Sequence, residues 1–214
     1  MRTRIKICGM TNLNDALSAL KAGADALGFV FYKQSPRYIE PEIASEIIRN
    51  LPPLVTVVGV FVNEQIDKVR EIASYCLLDI LQFHGFESPE YCEWYHNRVI
   101  KAFRVKDASS MEEIKKYKDK VSGYLLDSNS EVAYGGTGST FDWSVAREIS
   151  RILPVVLAGG LTPDNVAQAI SEVQPYGVDV SSGVESAPGS KDMEKMRSFV
   201  ESVRKADEDL YGMK

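Results

Sequence analysis

Eight short β-rich runs recur along the chain, separated by amphipathic segments: RIKICGM, ALGFVFY, VTVVGVFVN, LDILQFHG, VIKAFRV, GYLLDS, PVVLAGG and YGVDVSSG. Strand patterns that alternate with helix patterns from end to end build parallel sheets, because each crossover returns the chain to start the next strand in the same direction. Spread over 214 residues, eight units take about 27 residues each, the economy of a compact parallel architecture rather than of two domains. The expected fold is α/β, a single (β/α)8 TIM barrel with residues 1–214 forming one domain. An open doubly wound sheet is the structural rival, since rhythm alone does not demonstrate closure.

Helix ends are legible between the runs. TNLNDALSALKAG closes on Gly23, PEIASEIIRNL opens on Pro41, and TPDNVAQAISEV offers Thr162 as N-cap with Pro163 at the first helical position. Ser110 with Glu113, or Ser109 with Glu112, fits a capping box. No Pro/Gly/Ser tract divides the chain. The stretch SNSEVAYGGTGST after the sixth run reads as a long loop; its glycine spacing does not fit a dinucleotide fingerprint, and the alternatives are a solvated loop and an active-site lid.

Charge and cysteine usage narrow the function classes. Lys plus Arg number 25 against 30 Asp plus Glu, a net charge of -5 without a basic cluster, so neither nucleic acid nor an acidic membrane surface is an expected partner. An anionic small substrate would need a local binding device. Cys8, Cys76 and Cys92 have no paired spacing; with no apolar run of signal or membrane-spanning length, they predict free thiols in a reducing cytoplasm. The two histidines, His84 and His96, lack ligand spacing, so no metal site is expected.

In a barrel, side chains at the carboxyl ends of the strands converge on one face, where barrel active sites lie. Period-two alternation turns Ile5 and Ile7 toward the helices and leaves Lys6 and Cys8 toward the axis. By the same rule Gln82 and His84 face inward between Leu81 and Phe83, and Asp179 and Ser181 face inward beside Val178 and Val180; Asp127 ends the sixth run. Each has a bland alternative. Cys8 could be core packing, Lys6 the partner of an inward carboxylate, His84 a hydrogen-bonded structural residue and Asp127 a loop cap. Their coincidence at strand ends favours a site.

Two glycine turns add a ligand class. Gly159 and Gly160 follow the seventh strand, and Ser181, Ser182 and Gly183 follow the eighth, with a short helix expected near Gly183. Backbone N–H groups there can approach an anion closely, the arrangement barrels use for phosphate after strands seven and eight.

The motifs KICGMT, GFVFYKQSPRYI, VGVFVN, LQFHG, LLDS, GGTG, FDW, LAGGLTPDNV and GVDVSSGVE, in this order over almost the whole chain, resemble the phosphoribosylanthranilate isomerase family of tryptophan biosynthesis. The resemblance implies an Amadori rearrangement of N-(5-phosphoribosyl)anthranilate in a cytoplasmic catalytic barrel without cofactor. It implies Asp127 as general acid and Cys8 as general base, Arg37 as the clamp on the anthranilate carboxylate, and His84 and Asp179 in the wall of the substrate pocket. The phosphosugar-anthranilate compound is the expected partner; association with other enzymes of the pathway is left open. Such roles demand a raised carboxyl pKa at Asp127 and a cation near Cys8, for which Lys6 is a candidate. Rival readings are a pentose-phosphate epimerase, which would want a His/Asp metal set, an indole-glycerol-phosphate synthase, which would want inward lysines and glutamates, and an inactive phosphate-sensing barrel.

Overall fold

The computed structural model describes residues 2–105, 110–127 and 143–212. Eight parallel strands close on themselves in sequence order, β1 (Arg4–Cys8), β2 (Ala26–Val30), β3 (Thr56–Phe61), β4 (Ile80–Phe83), β5 (Arg98–Arg104), β6 (Gly123–Asp127), β7 (Val155–Ala158) and β8 (Gly177–Val180), with β8 returning to pair with β1. The barrel is therefore closed, and the open sheet is excluded. Helices α1 (Leu13–Ala22), α2 (Pro41–Arg49), α3 (Ile66–Cys76), α4 (Pro89–Cys92), α5 (Ser110–Lys115), α6 (Ser144–Ser150), α7 (Val166–Val173) and α8 (Met193–Tyr211) follow the strands.

Strands covered on both sides are buried along nearly their whole length, as β2, β6 and β8 are. Alternation then sorts the residues. Ile5, Ile7, Leu27, Phe29, Leu81 and Phe83 join the large apolar sleeve between strands and helices. Inside the barrel lie two small clusters, Cys8 with Val30 and Val60, and Ala102 with Leu125 and Ala158. Polar Lys6, Gln82 and Asp179 are also buried. The expected inward set is the observed one.

The helix ends agree with the local chemistry in most places. Asn12 accepts a hydrogen bond from the Asp15 amide at the start of α1, and Gly23 ends that helix in the left-handed region at φ 115°. The seventh helix differs from expectation: it begins at Val166, and Thr162 and Pro163 belong to a preceding turn in which the Thr162 hydroxyl accepts from the Asp164 amide. The Thr162 signal is real, but it caps a turn. Likewise Ser110 is the first residue of α5 rather than its cap; Ser109 lies outside the described residues. The segment after β8 forms one turn of 3-10 helix (Ser182–Val184) and then an unforeseen antiparallel hairpin, β9 (Glu185–Ala187) and β10 (Ser190–Lys191).

Carboxylates pin the opposite rim. Asp25, just before β2, accepts from the Ile5 amide at 2.9 Å, and Asp79, just before β4, accepts from the Val57 amide at 2.7 Å. Arg2 also pairs with Asp25. Burial works against the charged form of Asp25, but Arg2 and the Ile5 amide outweigh it and hold its carboxyl below its ordinary value. A depressed folded-state pKa contributes stability above the unfolded value and loses it as pH falls through the folded value. Asp25→Asn should therefore be less stable than the parent at neutral pH, with the gap closing below about pH 4, which urea melts across pH would read. A gap that persists unchanged into acid would show that Asp25 contributes through packing alone.

Candidate active site

A cavity of about 270 Å³ opens at the carboxyl ends of the strands, and Cys8, Arg37, His84, Asp127, Gly159, Gly160, Asp179, Ser181 and Ser182 all line it. Nine sequence-predicted residues thus meet at one mouth. The tenth, Gly183, stands behind the wall: a Cβ there would lie 1.9 Å from the Leu161 carbonyl oxygen. Its lack of a side chain lets the loop after β8 press against the loop after β7. Gly159 and Gly160 have φ of 87° and 63°, the left-handed region that glycine enters without strain.

Cys8 ends β1 in a nearly sealed niche. Gly28 is its register partner on β2, and a Cβ at Gly28 would stand 2.7 Å from the Cys8 sulfur. Gly28 therefore makes room for the thiol. It is a site residue that the sequence reading missed, although pairing β1 with β2 would have put it beside Cys8. The Ser181 hydroxyl donates to the Cys8 carbonyl oxygen at 3.1 Å, so its proton serves the strand end rather than an incoming anion.

Lys6 and Asp179 are direct partners across β1 and β8, and the Lys6 ammonium meets the Asp179 carboxylate at 2.7 Å, both side chains buried. Lys6 is thus primarily the counter-ion of an inward carboxylate. Burial pushes the Cys8 thiol pKa up; the Lys6 charge opposes this without reversing it. Lys6 therefore favours the thiolate, as expected, but its ammonium is shared with Asp179 and burial of the thiol outweighs it. Burial also raises Asp179, with Lys6 again opposing. Oδ1 of Asp179 and Oε1 of Gln82 are buried without a hydrogen-bond partner among the described residues.

Across the cavity, His84 Nε2 lies 3.3 Å from Asp127 Oδ2, and the Gln82 amide nitrogen lies 3.3 Å from His84 Nδ1. Gln82, His84 and Asp127 form a chain of polar contacts from the barrel interior to the mouth. Arg37, on the loop after β2, is forked onto Glu185, Nε to Oε1 at 2.8 Å and Nη2 to Oε2 at 2.6 Å. Glu185 was missed as a partner; its only signal was its place at the end of GVDVSSGVE. The segment 128–140 that could serve as a lid lies outside the described residues. A buried thiol, a half-buried carboxylate, an arginine and paired glycine turns are equipment for proton transfer on a doubly anionic small molecule.

Comparison with known proteins gives a consistent result. The profile of the family described as N-(5'-phosphoribosyl)anthranilate (PRA) isomerase matches residues 5–202. The N-(5'-phosphoribosyl)anthranilate isomerase of Geotalea uraniireducens is 57% identical over 202 residues, 94% of this chain and 98% of that protein. A crystal structure of phosphoribosyl anthranilate isomerase from Thermotoga maritima superposes with a TM-score of 0.88 at 47% identity, covering 95% of this chain and 99% of that one. Another, of such an isomerase in complex with reduced 1-(o-carboxyphenylamino)-1-deoxyribulose 5-phosphate, has a TM-score of 0.86 at 45% identity over 95% and 99% of the two chains.

Proposed function

The chain belongs to the N-(5'-phosphoribosyl)anthranilate isomerase family, and from that membership we propose that Cys8 and Asp127 carry out its proton transfers while Arg37 and the two glycine turns hold the ends of the substrate. The enzyme catalyses the isomerase step of tryptophan biosynthesis, an aldose-to-ketose rearrangement of N-(5'-phosphoribosyl)anthranilate to 1-(2-carboxyphenylamino)-1-deoxyribulose 5-phosphate. The observation that carries the role assignment is that Cys8 and Asp127 line the same cavity at the ends of β1 and β6.

Asp127, in its protonated form, gives a proton to the ribose ring oxygen as the bond from that oxygen to C1 breaks and the anthranilate nitrogen lone pair forms the C1–N imine. Cys8, as thiolate, removes the C2 hydrogen as a proton; the C2–H electron pair becomes the C1–C2 double bond and the imine electrons return to nitrogen. Tautomerisation moves the C2 hydroxyl proton to C1 and leaves the ketone at C2. C2 is oxidised and C1 reduced within one molecule, so the chemistry needs neither redox cofactor nor external electron acceptor. General acid and base groups typically contribute about 100- to 10,000-fold each to such steps.

His84 supports this reading: its Nε2 contacts the Asp127 carboxyl in the cavity wall and restrains it there. The turns of Gly159 and Gly160 and of Ser182, which line the cavity, would hold the phosphate, and Gly183 brings the two turns together. We further propose that residues 1–214 act as one catalytic unit in the cytoplasm, supported by three buried free thiols; cell fractionation tests the location. Turnover of freshly prepared phosphoribosylanthranilate in a coupled assay tests the activity, and chelator treatment tests the expected independence from metal.

The role of Cys8 has a pH signature. Its base form appears as pH rises, and burial shifts that appearance upward. We expect kcat/KM to keep climbing through neutrality and to level only above about 8.5, where a free thiol titrates. A rate profile already flat well below that point would remove Cys8 as the titrating base.

A further inference from the structure

The hairpin formed by β9 and β10 has no part in the barrel sheet, yet it is tied into the catalytic end. The Thr11 hydroxyl donates to the Gly189 carbonyl at 2.6 Å, the Lys191 amide donates to Asp15 at 2.8 Å, and Lys195 donates to the Glu185 carbonyl at 2.7 Å. Glu185 and Lys191 are cross-strand partners, which sets their side chains on one face of the hairpin. Lys191 Nζ meets Glu185 Oε1 at 2.8 Å, with the lysine side chain fully buried and the glutamate side chain only 5% exposed. The other approach to Glu185 is taken by Arg37.

One carboxylate is therefore shared by two cations. A lone Arg37–Glu185 pair would be neutral and would offer no net attraction to an anion; with the Lys191 ammonium included, the triad carries one net positive charge. Burial lowers the Lys191 pKa, and contact with Glu185 works against that loss. The hydrogen-bond count points the same way. A guanidinium has five N–H donors. Glu185 takes one from Nε and one from Nη2, leaving both on Nη1 and one on Nη2, while Arg37 also lines the catalytic cavity. The stem of Arg37 lies against Gly9, where an added Cβ would come 2.6 Å from Cδ, so the side chain is held along its length as well as at its head.

We propose that Glu185, backed by Lys191, is the positioning residue of the Arg37 clamp: it fixes the Nε–Nη2 edge of the guanidinium, leaves the remaining donors for an aryl carboxylate, and so sets the preference for substrates bearing that group. The inference rests on the reading of Arg37 as the carboxylate clamp. It gives the hairpin a function in substrate selection.

Charge and orientation make opposite predictions for Glu185→Gln. Removing the negative charge leaves the net charge at least as positive as before, whether or not Lys191 then loses its proton. Electrostatics alone predicts unchanged or tighter anion binding. Positioning predicts weaker binding, because the two-point fork is lost.

The experiment measures affinity for reduced 1-(2-carboxyphenylamino)-1-deoxyribulose 5-phosphate and for its phenylamino counterpart without the carboxylate. Parent, Glu185→Gln, Glu185→Asp and Arg37→Met are compared, with circular dichroism confirming each fold. Glu185→Asp keeps the charge beside Lys191 but shortens the reach to Arg37, so it decides the matter if Glu185→Gln fails to fold. We expect the preference for the carboxylate compound to fall about 10-fold in both Glu185 variants and in Arg37→Met. An unchanged or increased preference in a folded Glu185 variant overturns the inference. If Arg37→Met keeps the full preference, the clamp reading fails first; if only the Glu185 variants keep it, the clamp stands and its positioning by Glu185 falls.

Discussion

Cys8→Ser and Asp127→Asn should each keep the circular dichroism of the parent and lose turnover by about 100- to 10,000-fold. The fold should survive because each replacement nearly preserves the volume and the contacts that hold the strand end. Cys8 packs among Val30 and Val60 in a niche shaped by Gly28, which a serine of slightly smaller size can occupy. An asparagine at 127 retains an oxygen that can face His84 Nε2, so the contact at the end of β6 is kept. What each replacement removes is proton traffic. A serine hydroxyl does not ionise in the accessible pH range, and an amide cannot act as a carboxylic acid. Single-turnover rates with purified variants read the loss directly. Near-parental turnover in either variant would strike that residue from the mechanism, whereas loss of the fold would make it a packing residue instead.

Lys6→Met should be the most destabilising single substitution proposed for the barrel interior, by about 3–5 kcal/mol, since it leaves the Asp179 carboxylate buried without its counter-ion. The pair is short and enclosed, and among the described residues Asp179 Oδ1 has no hydrogen-bond partner. With Lys6 gone, the folded-state pKa of Asp179 moves further up. A group with a raised carboxyl pKa costs stability above its unfolded value and none below it, so the deficit should be full at neutral pH and should shrink as pH falls toward about 4. Lys6→Met combined with Asp179→Leu should recover most of the loss, because the cost lies in the orphaned charge rather than in the absence of the pair. Urea midpoints at constant slope provide the measurement. A single variant within about 1 kcal/mol of the parent, on the scale of exposed ion pairs, would show that water reaches Asp179 and that the pair is not a structural element of the barrel.

The order of strands, their inward and outward faces and the identity of the residues at their carboxyl ends were all readable along the chain. Ile5, Lys6, Ile7 and Cys8 alternate within four positions, and the pleat alone sends Lys6 and Cys8 to the same side. Gly23 ending α1 and Pro41 opening α2 are equally local, because backbone geometry is decided by the residue itself and its immediate neighbours. Closure needed the structure, for it depends on β8 finding β1 across the whole chain.

Choice of partner was hidden for the same reason. Lys6 had two candidate roles, supporting Cys8 or neutralising a carboxylate, and only the register that places it opposite Asp179, 173 positions away, shows that it meets a carboxylate as well as the thiol on its own strand. Arg37 was singled out as a carboxylate clamp only through the family resemblance, and the residue that takes its fork, Glu185, lies 148 positions away on a hairpin too short to announce itself by periodicity. Thr162 shows the limit from the other side: its capping chemistry was legible, yet the chain spends it on a turn and starts α7 at Val166. Local pattern determines which face a side chain points to and what kind of group it can offer. Which buried charge it meets there is decided by long-range register and closure, because in a low-dielectric interior the energy of an ionised group depends on the partner the fold brings to it rather than on its neighbours in sequence.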